Sequence, residues 1–323
     1  MSTIYEVAAL AGVSPATVSR VMNGMNVSPE RSKRVREAAE ALSFRPNRVA
    51  QGLRRQHSEV IALVIPDIEN PFFTSMARGV EDVAQAAGYS VMLCNTDEDH
   101  DKEARYLDIA VSANIAGVVL AAAGDRSDVS GLIERNRPVV AVDRGPHGFD
   151  IDAVTVDNRA GGKAATKALL DNGFTRIACI TGPRDVETAA QRADGWTAAL
   201  SAAGLAADES LLRYANFRID GGERAMTELL NLPEPPDAVF VANNLMSVGA
   251  LQVLSQHGIL PPRTGMAIFG DLPFMPLAPL PITVVHLPAR LIGTTAATLL
   301  LERINGDDQP ARTIVLRNRL AQL

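Results

Sequence analysis

The sequence predicts an α/β protein: an N-terminal helix-turn-helix domain followed by a two-part core built on parallel sheets. Three observations carry this. The segment TIYEVAALAGVSPATVSRVM, Thr3 to Met22, reads as two short helices joined by a tight turn. From Glu59 onward, apolar runs of strand length alternate with helical stretches, the pattern of open parallel sheets with helices on both faces. Charge is also divided unevenly: nine Lys and Arg stand against four Glu up to Ser58, in a chain whose net charge is −6. A basic head on an acidic body suits phosphate binding by the head and solubility for the rest.

In the head, Thr3 can cap the first helix, with Glu6 three residues on to close a capping box. Val7, Leu10 and Ala11 fall on one face at helical spacing. Gly12 stops this helix because it takes a positive φ without a Cβ clash. Ser14 and Pro15 start the second helix as N-cap and first helical residue. Val18 and Val21 turn inward, leaving Ala16, Thr17, Ser19 and Arg20 outward. Such a second helix can lie in the major groove of DNA, although any small helical hairpin would share the pattern. Ser28-Pro29-Glu30 opens a third helix with Val35, Ala38, Ala39 and Leu42 on its buried face, and Phe44 closes the small core.

Pro46-Asn47 can start a further helix through Arg48, Val49, Ala50, Gln51, Gly52 and Leu53. Barely two turns long and containing Gly52, it is too weak to form in water without a partner. An ordinary interdomain linker is the alternative.

In the core, VIALVI, YSVMLCN, AGVVLAA and PVVAVD are strands, with helices Phe73 to Ala87 and Lys102 to Ser112 and one short helix between them. A second series runs AVTVD, helix Arg159 to Leu170, RIACITG, helix Thr188 to Ala203, a short strand near Leu212, helix Gly221 to Leu230, DAVFVAN, helix Leu245 to Gln256 and MAIF. ITVVHLP, helix Ala289 to Ile304 and TIVLRNRL then cross back between the two parts. With 323 residues, 47% of them hydrophobic, the chain can bury a sizeable core. No apolar run reaches membrane-spanning length and the N-terminus is no signal peptide, so a cytoplasmic protein is expected. Cys94 and Cys179 sit in apolar runs and read as buried free thiols.

Enzyme signatures are missing. No G-x-G-x-x-G follows a strand, there is no phosphate loop and no HExxH, and Gly161 to Lys163 lacks the upstream glycine of a phosphate loop. Cys and His show no metal-ligand spacing, and no cofactor is expected.

The pieces VAALAGVSPATVSRVMNG, RPNRVAQGLR, IPDIENPFF, VDNRAGG, RADGW and VANNLMSVGAL occur in one order over nearly the whole chain. In this the sequence resembles the LacI/galactose-repressor family of bacterial transcription regulators. The resemblance implies a helix-turn-helix domain at 1–45, a hinge helix and linker at 46–58, and a core at 59–323 built like the periplasmic sugar-binding proteins. Within the core, one subdomain takes 59–157 and 287–311 and the other 158–286 and 312–323. It implies that the hinge helix pairs with its copy in a homodimer and enters the minor groove, where Leu53 aligns with a leucine that wedges between base steps. The residues expected at DNA are Thr3, Ser14, Pro15, Ala16, Thr17, Ser19, Arg20, Asn23, Asn47, Arg48, Ala50 and Leu53.

In open parallel sheets ligands bind beyond the carboxyl ends of the strands. Phe72 and Phe73 follow the first core strand and either cover a ligand's apolar face or pack in the core; the resemblance aligns Phe73 with an aromatic that stacks on effector. Asp157 ends a strand and can accept from ligand hydroxyls, cap the following helix, or both. Arg192 offers a forked donor for paired hydroxyls or a carboxylate, and the family binds effector with the arginine at this place. Asn243 aligns with an effector-binding asparagine, with a helix cap as its alternative.

Three departures bear on the ligand. Gly270 replaces the first acid of the usual Gly-Phe-Asp-Asp pattern, leaving Asp271 as a possible substitute. His286 stands where glutamine is common, and Asn244 replaces an aspartate. The missing acid leaves Arg192 less neutralised and suggests fewer hydroxyl contacts or an anionic ligand. The expected effector site is Phe72, Phe73, Asp157, Arg192, Asn243, Asp271 and His286.

The reading is a dimeric DNA-binding transcriptional regulator, a repressor in sense, with a double-stranded operator and a sugar or sugar acid as partners and no membrane. Its alternatives are the same fold with a nucleoside or purine effector, and a pure sugar-binding receptor, which would have no use for the basic head.

Overall fold

The computed structural model describes residues 3–22, 25–42, 44, 58–146, 148–272 and 280–322. The chain divides into two compact units, Met1–Ser58 and Glu59–Leu323.

In the first unit, α1 (Ile4–Ala11) begins with the expected capping box. The Glu6 amide donates to Thr3 Oγ1 at 3.4 Å and the Thr3 amide donates to Glu6 Oε2 at 2.7 Å. Gly12, at φ +63°, ends it. The second helix, α2 (Pro15–Met22), starts at Ser14, whose hydroxyl accepts from the Thr17 amide at 3.2 Å. Helix α3 (Pro29–Ala41) starts on its proline alone, since the Ser28 side chain makes no cap bond. Val7, Ala8, Ala11, Val18, Val21, Val35, Ala38 and Ala39 form the core, with Leu42 and Phe44 packed at its edge. Leu10, expected to face inward, is 58% exposed. The inward stripe is Ile4, Val7, Ala8 and Ala11, the tighter set at spacings of three and four, and Leu10 lies off its edge.

The second unit holds two six-stranded sheets. Sheet one contains β1 (Val60–Ile65), β2 (Ser90–Asn95), β3 (Val118–Leu120), β4 (Val139–Val142), β5 (Asp152–Val156) and β11 (Thr313–Leu316), in the order β11-β5-β4-β3-β1-β2. Sheet two contains β6 (Ile177–Thr181), β7 (Leu212–Tyr214), β8 (Ala238–Val241), β9 (Gly265–Phe269), β10 (Thr283–His286) and β12 (Arg319–Gln322), in the order β12-β10-β9-β8-β6-β7. Every pairing is parallel except that of β12 with β10. The helices of the first half are α4 (Pro71–Ala86), α5 (His100–Ser112), α6 (Ser130–Ile133) and α11 (Ala289–Ile304). Those of the second are α7 (Asn158–Asp171), α8 (Glu187–Ala202), α9 (Ile219–Leu230) and α10 (Asn244–Gln256).

The segment TIVLRNRL divides between the sheets. Thr313–Leu316 pairs with β5 in sheet one, and only Arg319–Gln322 returns to sheet two. The last crossing therefore falls at 317–318, which corrects the expectation that 312–323 belongs wholly to the second half. Only Arg317, Asn318 and Arg319 separate Leu316 from Leu320, and nothing local marks a change of sheet.

Helices pack in three close pairs at reciprocal glycines. A Cβ on Gly162 of α7 would lie 2.5 Å from the Arg192 carbonyl oxygen, and one on Gly195 of α8 would lie 2.4 Å from that of Arg159. Gly222 and Gly249 join α9 to α10 in the same way, as Gly79 and Gly293 join α4 to α11. Cys94 and Cys179 are buried free thiols, and burial raises the pKa of both.

Candidate functional site

On the head, Ser14, Ala16 and Arg20 are exposed and Pro15, Thr17 and Ser19 half-exposed, all around the start and outer face of α2. Thr3 is exposed but bound up in its capping box. Arg31, Lys33, Arg34 and Arg36 of α3 are exposed as well. This surface can offer cations to phosphates and short side chains to base edges. Asn23, Asn47, Arg48, Ala50 and Leu53 lie outside the described residues.

In the second unit the carboxyl ends of both sheets face a cleft of about 200 Å³. Sheet one brings Asp67, Asn70, Phe72, Phe73, Glu98, Asp143 and Arg144, and sheet two brings Thr188, Arg192, Phe217, Arg218, Asn243, Asn244, Phe269 and Asp271.

Arg192 lies near the middle of α8, 6% exposed. Its Nε donates to Asn158 Oδ1 at 2.8 Å, its Nη1 donates to the Ala242 carbonyl at 2.9 Å, and its Cζ lies 4.2 Å from the Phe269 ring centre. These contacts aim Nη2 at Asp143 Oδ1, 4.0 Å away on the opposite half. Loss of water pushes the guanidinium pKa down to about 10, with Arg144 adding to the shift and Asp143 opposing it, so it stays charged at neutral pH.

Asp143 ends β4 with φ +64°, a left-handed conformation uncommon outside glycine. Burial raises its carboxyl pKa against the pull of Arg192 and then Arg144. Arg144 Nε lies 3.9 Å from Asp143 Oδ2 and has no hydrogen-bond partner among the described residues. At 3.9 and 4.0 Å both guanidinia face the Asp143 carboxylate across gaps longer than a hydrogen bond. The other donors of Arg144 are taken. Nη1 donates to Glu98 Oε2 at 2.9 Å, to the Ala123 carbonyl at 2.8 Å and to the Ala122 carbonyl, and Nη2 donates to Glu98 Oε1 at 2.7 Å. Desolvation acts to lower the Arg144 pKa, but Glu98 together with Asp143 and Glu103 outweighs it and the net shift is upward.

Several contacts cross the cleft without a ligand. Asn244 Nδ2 donates to Asn70 Oδ1 at 3.0 Å, which the aspartate usual at position 244 could not do. The Gly145 amide donates to Glu187 Oε2 at 2.9 Å, and Arg218 faces Asp97 at 3.8 Å.

Of the effector residues expected from sequence, Phe72, Phe73, Arg192, Asn243 and Asp271 line the cleft. Phe73 is buried and meets Phe72 edge-on, with ring centres 5.0 Å apart. Asn243 both lines the cleft and caps α10, its Oδ1 accepting from the Met246 amide at 3.0 Å. Two expectations are corrected. Asp157 is exposed and does not line the cleft; its carboxylate accepts from the Ala160 amide at 2.8 Å as the cap of α7, and the buried neighbour Asn158 reaches Arg192 instead. His286 does not line the cleft; its Nδ1 is hydrogen-bonded to Oδ1 of Asp271, which does. Gly270 replaces an acid at φ +96°, and the acid facing Arg192 comes from the other half, at Asp143.

Sequence reasoning missed Asp143, Arg144, Glu98 and Asn70. Asp143 ends the strand PVVAVD as Asp157 ends AVTVD, so the same strand-end rule could have found it. Nothing in the sequence marks Glu98, which reaches the cleft through a turn with Asp97 and Glu98 at φ +56° and +60°. Among the described residues no group of His, Cys, Asp and Glu could hold a metal ion, and no helix is long and apolar enough to cross a membrane.

Comparison with known proteins agrees with this division. Residues 3–47 match the family described as bacterial regulatory proteins, lacI family. Residues 58–322 match periplasmic binding proteins and sugar binding domain of LacI family. The HTH-type transcriptional repressor PurR of Aliivibrio salmonicida is 33% identical over 308 residues, covering 94% of this chain and 92% of that protein. The ribose operon repressor of Escherichia coli K12 is 35% identical over 309 residues, covering 94% and 93%. Among solved structures, a complex of the transcriptional regulator CelR with cellobiose superposes with a TM-score of 0.75 at 32% identity, covering 100% of this chain and 99% of that one. With a helix-turn-helix head, a ligand-sized cleft between two parallel-sheet halves and repressors as its relatives, the chain belongs to the LacI family, as an effector-controlled DNA-binding regulator and not an enzyme.

Proposed function

We propose that the cleft takes a small polyhydroxylated effector of the sugar class, and that its occupancy sets the operator affinity of a homodimer. The observation that carries this reading is the gap between Arg192 and Asp143. The remaining donor arm of Arg192, Nη2, on one half faces a buried acceptor on the other, too far apart to satisfy each other, so a ligand with hydroxyls on adjacent carbons can bond both. Asn243 adds an amide that donates and accepts, and Phe72 and Phe73 offer an apolar wall. The cellobiose bound by CelR and the name of the ribose operon repressor support a sugar; a nucleoside or purine is the competing ligand.

In a two-fold dimer the two heads present two α2 helices to two half-sites. Effector binding changes the spacing of the two heads. A coupling of about 1–3 kcal/mol corresponds to a change in operator affinity of about 5- to 150-fold.

The test is a thermal-unfolding screen of pentoses, hexoses, sugar acids, nucleosides and purines, followed by operator retardation with and without the hit. A ligand at about 100 times its Kd adds roughly 2.7 kcal/mol of stability. A purine hit with no sugar response overturns the sugar assignment, and a monomer by sedimentation overturns the dimer.

A further inference from the structure

We propose that Glu98 fixes the charge class of the effector: by holding both arms of Arg144 it bars anionic ligands, so the cleft accepts a neutral polyol. This rests on the reading of the cleft as the effector site.

A carboxylate or phosphate is held best by a guanidinium fork with both arms free. Neither of the two buried guanidinia in the cleft, Arg144 and Arg192, offers one. Arg144 gives Nη1 and Nη2 to Glu98 and spends the rest of Nη1 on the Ala122 and Ala123 carbonyls. Arg192 gives Nε and Nη1 to Asn158 and Ala242, and its remaining arm faces the Asp143 carboxylate. Arg218 faces Asp97. Asp67 and Asp271 add further carboxylates to the walls. An anion would meet occupied donors and like charge, whereas ligand hydroxyls can donate to Asp143 without disturbing any ion pair.

Glu98 decides this because it alone neutralises Arg144 at hydrogen-bond distance. It is carried by two successive non-glycine residues in the left-handed region, a conformation that persists only where its surroundings enforce it. Remove the Glu98 charge, and Arg144 becomes a buried cation with both arms free of a carboxylate bond, facing only the Asp143 carboxylate that it shares with Arg192. The structure thus reverses the anionic ligand suggested by Gly270.

The test uses the full chain with inorganic phosphate and D-gluconate as anionic probes, read by thermal unfolding and calorimetry. The basic head binds phosphate alike in every variant, so the reading is the difference between variants. Glu98→Gln should bind either anion about tenfold or more tightly than the parent protein. The gain should vanish in Glu98→Gln combined with Arg144→Gln. No gain in Glu98→Gln, or a gain that survives in the double variant, overturns the proposal. Should Glu98→Gln not fold, the parent protein is compared with the double variant, in which the pair is replaced by neutral side chains. Equal responses to both anions are expected, and an anion response present only in the parent protein overturns the proposal. The effector reading fails separately, through sugar binding that is indifferent to Arg192→Ala.

Discussion

Arg192 and Asp143 stand 4.0 Å apart across the cleft, one on α8 of the second half and the other at the end of β4 of the first. The pair is close enough to attract and too far apart to bond, so its full interaction needs a third participant. That makes Arg192 the first residue to test. Arg192→Ala should weaken effector binding by about 1.5–3 kcal/mol, the value of a hydrogen bond to a charged group, and roughly tenfold or more in affinity. Calorimetry measures this, and operator retardation should show that DNA binding persists while the effector response is lost.

The raised pKa of Asp143 predicts two pH effects of opposite sign. The folded protein holds this proton more tightly than the unfolded chain does. The stability contribution of the group is therefore fully present below the ordinary aspartate pKa and is lost as pH rises through the raised folded value. Effector affinity runs the other way, falling as pH drops through that value, because protonation removes an acceptor and the counter-charge of Arg192. Calorimetry at successively lower pH should show this fall, and Asp143→Asn should flatten it.

Glu187 reaches from α8 to the Gly145 amide and so helps hold the halves together, with Gln191 Nε2 donating to its other oxygen at 2.7 Å. Glu187→Ala should lower effector affinity by about 0.5–1.5 kcal/mol without touching ligand. A faster dissociation rate at an unchanged association rate is the expected signature in stopped-flow measurements.

Gly162 presses on the Arg192 carbonyl. Gly162→Ala forces α8 outward and should destabilise the fold by about 1–3 kcal/mol, as overpacking does. Because the displaced residue is Arg192 itself, effector affinity should fall with stability.

Arg20 is exposed on α2 among the side chains offered to DNA. Arg20→Ala should weaken operator binding by more than about 1 kcal/mol in a titration at fixed salt, with effector affinity unchanged.

The elements of this fold were legible because their signals are local. Thr3 with Glu6, Gly12, and Ser14 with Pro15 each act within a turn of chain, and the strands of a buried parallel sheet read as unbroken apolar runs. The cleft was half legible. Arg192 and Asn243 follow from strand-end placement and resemblance, but Asp157 was misjudged by one residue. A carboxylate at a strand end can turn toward its own helix amides, and here it does. Glu98 and the change of sheet after Leu316 could not be read, since both depend on pairing with segments distant in sequence.

The glycine contacts between helices have a mechanical consequence. With backbones touching at Gly162 and Gly195, at Gly222 and Gly249, and at Gly79 and Gly293, the paired helices have no room to slide, so each half moves as a block. Any motion provoked by ligand has to be absorbed where the chain passes between sheets, at 157, 287–288 and 317–318. Two of these passages are stitched together, for Asn318 Nδ2 donates to the Asp157 carbonyl at 2.9 Å. What remains is a twist of one half against the other about these passages.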